Sequence, residues 1–210
     1  MAIAYDNSAT GSGLSFSYTC TGSNLLLLVF LQGAQGGSDL VTSCSYNGVS
    51  MTKFASILAN SSSRWLDAFY LLNPATGSNT VVCDVNSVDS FAISYTGVSQ
   101  SSFPDSQNTG TGNSTSITLS SSVVNSGCWL TMGLSLGVTS SWSSGTSLQR
   151  GHTSDFDIQV YDSNGTVGTG SQSLNASGSA LSYGNSGGII VSFAPATSSG
   201  KSSLSLLRTG

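Results

Sequence analysis

Residues 41–58 read VTSCSYNGVSMTKFASIL, and the middle of this stretch decides the fold. Asn47-Gly48 stands between the β formers Tyr46 and Val49, and both turn residues tolerate the positive φ that a two-residue hairpin demands. The spacing therefore predicts an antiparallel hairpin with arms over 41–46 and 49–58. Upstream, the run LLLLVFL at 25–31 is continuously apolar over seven residues. That is far short of the roughly 20 residues that a membrane-spanning helix needs, so it reads as a buried strand. Downstream, Asn73-Pro74 closes a strand over 65–72, because the residue before proline is pushed extended and proline cannot donate to a following ladder. The same texture of short apolar runs between Gly, Asn, Ser and Pro clusters predicts further strands at 2–5, 14–20, 24–32, 80–85, 91–95, 116–119, 128–136, 157–161, 172–175 and 188–193. Helical periodicity is missing. The expected fold is an all-β, antiparallel sandwich occupying 1–195 as a single domain, followed by a polar tail at 196–210.

Composition supports this and narrows the function. Of 210 residues, 67 are Ser or Thr and 25 are Gly, while the residues that favour helix are scarce or scattered. Charged residues make up 7% of the chain, and the nine acidic ones are all Asp. Most acid–base enzymes are thereby disfavoured. The five basic residues, Lys53, Arg64, Arg150, Lys201 and Arg208, are dispersed in a chain of net charge −4, which leaves no basic stripe for a phosphate backbone. Neither nucleic acid nor membrane is an expected partner. The opening MAIAYDNSATGSG has no basic or apolar leader segment, so the expectation is either cytoplasmic synthesis or a signal already removed.

Each chemically suggestive residue has a plainer structural reading beside it. Cys20, Cys44, Cys83 and Cys128 form no CxxC pair, so they read as small buried hydrophobes or, alternatively, as a disulfide with Cys20–Cys44 the first pair to test. No metal or cofactor is expected. The one histidine, His152, lies near Asp155 and Asp157, but no GxSxG elbow accompanies it, and no catalytic residue is assigned. Asp155-x-Asp157 and Asp162-x-Asn164-Gly165 resemble fragments of calcium loops, although such Asp and Asn mostly make turns by bonding their own backbone. The sequons at Asn60, Asn113, Asn164 and Asn175 are what so Ser/Thr-rich a composition produces. Two stretches, 96–114 and 139–155, read as long loops. The second carries Trp142, Arg150, His152 and Asp155, the candidate contact surface, unless Trp142 folds back over a sandwich edge. The tail holds Leu204, Leu206 and Leu207, a candidate docking arm if it is not frayed, since alternate apolar residues suit strand addition to a neighbouring subunit.

Several phrases carry a resemblance. Ser45-Tyr46-Asn47-Gly48-Val49, Phe69-Tyr70-Leu71-Leu72-Asn73-Pro74, Ser94-Tyr95-Thr96-Gly97-Val98-Ser99-Gln100 and Val191-Ser192-Phe193-Ala194-Pro195 resemble a jelly-roll-like β-sandwich family that recurs in tailed-phage virion proteins and bacterial surface proteins. The resemblance extends over about residues 23–195. It implies a jelly-roll-like sandwich with a structural or adhesive role, and supplies no catalytic residue. A chain starting at Met1 without a signal favours the virion branch.

The expectation is a non-enzymatic virion structural protein, a capsid decoration or head fibre component. Its partners would be copies of itself, as a homotrimer, and the major capsid protein or other virion proteins. The alternative is a carbohydrate-binding or host-adhesion module at the tail or cell surface, in which Trp142, Tyr161 and Tyr183 with Arg150 and Asp155 engage a host-surface glycan.

Overall fold

The computed structural model describes residues 1–34, 41–59, 64–84, 89–136, 142–145, 147–153, 158–180 and 185–197, in which sixteen strands and no helix occur. Nine strands belong to the first half: β1 (Ala4–Ser12), β2 (Ser15–Cys20), β3 (Leu26–Ala34), β4 (Cys44–Tyr46), β5 (Val49–Ser50), β6 (Thr52–Ala59), β7 (Arg64–Leu72), β8 (Gly77–Cys83) and β9 (Asp89–Thr96). Seven belong to the second: β10 (Ser106–Thr111), β11 (Ser116–Val123), β12 (Trp129–Ser135), β13 (Leu148–His152), β14 (Ile158–Asp162), β15 (Gly170–Ser177) and β16 (Gly187–Phe193).

All named pairings are antiparallel, and one plan is used twice. The first half forms a five-stranded sheet in the order β1-β9-β3-β7-β6 and a four-stranded sheet in the order β2-β8-β4-β5. The second half forms a five-stranded sheet in the order β10-β16-β12-β14-β13 and a two-stranded sheet β11-β15. Replacing β1, β9, β3, β7 and β6 by β10, β16, β12, β14 and β13 reproduces the order without exception. The smaller sheets correspond as well, β2-β8 to β11-β15, and the Ser143–Ser177 bridge stands where β4 flanks β8. What the second half lacks among its described residues is the β4-β5 hairpin.

Local details repeat with the order. The edge strands β6 and β13 each carry a register shift at the same step, between Lys53 and Ala55 and between Gln149 and Gly151. Gly77 and Gly170, which open β8 and β15, both have φ of +88°. The two five-stranded sheets pack face to face with β1 near β13 and β6 near β10, the arrangement of an approximate two-fold axis between the halves.

Apolar side chains gather in three layers. Leu26, Leu28 and Phe30 of β3 face Ile158, Val160, Ile189 and Val191 between the five-stranded sheets. Leu25, Leu27, Val29 and Leu31 turn the other way, onto Tyr18, Tyr46 and Val81 of the four-stranded sheet. Beyond the second five-stranded sheet, Leu130, Met132, Leu134 and Ile190 pack on Ile117, Leu119 and Leu174. A strand covered on both faces has no solvent side to keep polar, which is why residues 25–31 show no alternation.

Three sequence expectations change. The stretch 96–114 contains β10 and the stretch 139–155 contains β13, both edge strands; SQNTGT in β10 is half or fully exposed throughout, so burial imposes no apolar pattern on it. The arm expected at 49–58 divides at Met51: β5 stays with the four-stranded sheet and β6 crosses to the five-stranded one. The strand expected at 2–5 runs on to Ser12, paired along β9.

Candidate functional site

Of the loop residues singled out from sequence, Arg150 and His152 lie on β13, and the strand turns the Arg150 guanidinium inward. Arg150 sits at the β13 register shift, its side chain 11% exposed, and its Nε lies 2.6 Å from Oδ2 of Asp162, which is fully buried on β14. Arg150 Nη2 donates to Asn164 Oδ1 at 2.9 Å, and the guanidinium stands 4.3 Å from the Tyr5 ring centroid. Asp162 Oδ2 also accepts the Tyr95 hydroxyl at 3.0 Å, while Thr131 donates to Tyr95 at 2.8 Å. Burial, reinforced by the Asp162 charge, holds the Tyr95 phenol well above its ordinary pKa. The constellation is closed: each group is answered from within the protein.

Trp142 is 1% exposed and therefore not a surface contact. Its indole donates to Ser179 O at 3.0 Å, its backbone N–H to Gln159 Oε1 at 2.9 Å, and its carbonyl accepts the Tyr161 hydroxyl at 2.6 Å. It folds over the outer apolar layer, where Gly178 leaves room for the ring. Tyr161, also offered as a sugar-stacking ring, is fully buried. His152 is half-buried with Nδ1 2.8 Å from Thr153 O. Asp155, Asp157, Tyr183, Leu204, Leu206 and Leu207 lie outside the described residues. Trp142 and Arg150 are thus internal residues: β13 carries Arg150 onto Asp162, while Trp142, ahead of β13, is buried in the outer apolar layer beside Gly178.

At the equivalent place on the other side of the approximate axis the chemistry is reversed. Phe54 occupies the β6 register shift as Arg150 occupies that of β13, and Tyr70 stands opposite as Asp162 does. Phe103 completes this group, 4.4 Å from the Tyr70 ring and 5.6 Å from the Phe54 ring. One seam between the halves is ionic and the other aromatic.

Asp162-x-Asn164-Gly165 is a turn. The Asn164 N–H donates to Asp162 Oδ1 at 2.9 Å, and Asn164 adopts φ of +47°. The second oxygen is taken by Arg150, so the carboxylate faces a cation that the chain itself supplies. Among the described residues no three His, Cys or carboxylate side chains gather as metal ligands.

The cysteines are free and buried, and their arrangement differs from the pairing proposed for testing. Cys20 lies opposite Gly77, whereas Cys44 lies directly across from Cys83 with the sulfurs 3.9 Å apart. The Cys44 thiol is pushed up by its hydrogen bond to Cys83 and by burial, while that bond holds the Cys83 thiol down. Burial, with the Asp6 charge adding to it, drives Cys20 up to about 11, and burial leads the rise of Cys128 to about 12.

Among the described residues, one open surface feature is a polar cleft where several strands end. About 340 Å³ is enclosed among Ser99, Ser101, Ser102, Asn125, Ser126 and Pro195, and an adjoining space of about 270 Å³ reaches Asn24, Gln100 and Thr197. Ala196 N–H donates to Gly97 O at 2.7 Å, fixing the chain where it leaves β16. The lining supplies hydroxyls and amides without a titratable side chain, which suits hydrogen-bond recognition and offers nothing for proton transfer. Sequence reasoning missed this cleft because its residues are ordinary turn residues brought together from four separate strand ends.

Compared with family models, curated proteins and solved structures, the chain finds no match.

Proposed function

We propose that the chain is a non-enzymatic structural protein of a tailed-phage virion, displayed on the particle surface as a capsid decoration or head fibre component. The observation that carries this reading is the fate of Trp142, Arg150, Tyr161 and Asp162: side chains best suited to holding a ligand are all committed to internal contacts. The outer faces are instead short, uncharged and hydroxyl-rich, as in Thr118, Ser122, Ser173 and Asn175 on β11 and β15 and Ser15, Ser17, Ser78 and Thr80 on β2 and β8. A module on a particle surface needs a deeply packed interior and an inert exterior more than it needs chemistry.

The strand order supports the jelly-roll part of the reading. In the first half, β1-β9-β3-β7 against β2-β8-β4-β5 is the order produced when an antiparallel ribbon is rolled into two facing sheets. Attachment to the major capsid protein through one sandwich end or the arm at Leu204, Leu206 and Leu207, and assembly as a homotrimer, belong to the same proposal.

Labelling purified virions with an antibody against the chain, read by electron microscopy, tests it. A regular pattern over the head is the expected result. Label confined to the tail tip moves the assignment to host adhesion, and particles without label overturn it. The glycan reading keeps one favourable observation, the cleft of hydroxyls and amides around Ser99 and Asn125. A glycan array with one ligand class, lost in Asn125→Ala, would place that reading first.

A further inference from the structure

We propose that Cys44 and Cys83 are a disulfide site: an intramolecular cross-strand bond forms between them when the protein meets a small-molecule disulfide such as oxidised glutathione. The proposal is independent of the virion assignment.

The geometry comes from the β4–β8 ladder. Cys44 and Cys83 are register partners. Around them, Asp84 N–H donates to Ser43 O at 3.3 Å, while the backbone of the two cysteines turns outward: Cys83 N–H goes to Leu14 O and Cys44 O accepts from Met51, both at 2.8 Å. The cysteines are therefore a non-hydrogen-bonded pair, the position in an antiparallel ladder where opposed α-carbons come closest, about 4.5 Å. That spacing falls within the range that a disulfide spans without backbone movement, roughly 4.4–6.8 Å. Both side chains point into the layer between the sheets, 3% and 4% exposed, with the sulfurs already 3.9 Å apart. Neither alternative partner is placed to compete. Cys20 faces Gly77 across β2 and β8, and Cys128 belongs to the apolar layer on the far side of the second half.

Access comes through the edge of the sheet. β4 has three residues and β5 two, and they form the outer end of the β2-β8-β4-β5 sheet. So short an edge hairpin opens locally at far less cost than global unfolding. The Cys83 thiolate then attacks one sulfur of the oxidant RSSR, giving Cys83–S–S–R and releasing RS⁻. Cys44 loses its proton to water and attacks the Cys83 sulfur, closing the protein bond and releasing a second RS⁻. Two protein thiols give up two electrons and two protons, and one RSSR becomes two RSH. The bond would tie the hairpin to β8. In the second half the position equivalent to Cys83 is Ala176, so the lock is available to one half alone.

The native full chain is incubated with oxidised glutathione, then acidified, denatured, alkylated and weighed, with a peptide map to locate any bond. The expected result is a fall from four alkylatable thiols to two, with one peptide joining Cys44 to Cys83 and with Cys20 and Cys128 alkylated. Cys83→Ala, which copies Ala176, should retain all three of its thiols, whereas Cys44→Ser should stop at a single glutathione adduct on Cys83 with Cys20 and Cys128 still free. Four free thiols after exposure, a bond that includes Cys20 or Cys128, or a glutathione adduct that never closes would each overturn the proposal. Competence of the reagent is checked on the urea-unfolded chain.

Discussion

Ser192 donates its hydroxyl to Asp105 Oδ2 at 2.8 Å, tying the last strand of the second half to the residue that opens its first. Ser94 makes the same bond to Asp6 Oδ2 at 2.6 Å in the first half. Each carboxylate also receives backbone N–H groups just past the second strand of its half, from Thr21 onto Asp6 and from Val124 and Asn125 onto Asp105. At this corner the chain crosses from one sheet to another, and backbone donors there have no ladder partner. One Asp per half supplies the missing acceptor.

Asp105 gives a pH prediction. Burial raises its pKa, but the hydrogen bonds from Val124, Asn125 and Ser192 outweigh that and hold it below the ordinary carboxylate value. A depressed folded-state pKa contributes stability that is full above the unfolded value, about 3.9, and is lost as pH falls through the folded one. Melting temperatures of Asp105→Asn should therefore fall less steeply below about pH 4 than those of the natural chain. Parallel slopes would remove the linkage. At neutral pH, Asp105→Ala should cost about 0.5–1.5 kcal/mol through the lost hydrogen bonds, because water can reach the exposed Val124 and Asn125 donors.

Arg150→Ala should destabilise by about 3–5 kcal/mol in urea unfolding, because Asp162 is left charged and fully buried. Replacing both partners, Arg150→Met with Asp162→Asn, should recover part of that loss, because the amide oxygen still accepts from Tyr95 or Asn164 without a buried charge. A single variant that unfolds like the natural chain would show that the pair is dispensable.

Two glycines separate steric from conformational cost. A Cβ on Gly133 would lie inside the Phe30 ring between the five-stranded sheets, so Gly133→Ala should lose about 1–3 kcal/mol by overpacking. Gly48, at φ of +74° in the hairpin turn, has open space around it, and Gly48→Ala should cost only about 1–2 kcal/mol for the left-handed backbone. Phe30→Leu should relieve the first variant and leave the second unchanged, as read by thermal unfolding.

Trp142→Ala should cost about 3–5 kcal/mol as a core truncation. Any glycan signal that it loses should be lost in step with stability, measured on the same preparation. Selective loss of glycan binding in a variant that melts normally would return Trp142 to the surface readings.

Local chemistry made much of this molecule legible. Asn47-Gly48 forms the turn between β4 and β5, both residues at positive φ, and the strands expected over 14–20, 24–32, 65–72, 128–136 and 188–193 are present close to their expected extents. Such features depend on what a residue does to its own backbone or to one face of its own strand. β10 and β13 were hidden because an edge strand with little buried area carries no apolar alternation. Arg150 and Trp142 were misleading as contact residues for a related reason: their types look available in sequence whether or not the fold buries them.

By itself the sequence determined an antiparallel all-β chain with buried apolar strands, a tight hairpin at Asn47-Gly48 and little charge to spend on chemistry, because turn preference, side-chain alternation and composition act over a few residues. Only the tertiary structure decided that the strands follow one order twice, that Cys44 meets Cys83, and that Asp162 answers Arg150. Those outcomes depend on which strands lie side by side, a matter of long-range register and two-sided burial that no short stretch of residues encodes.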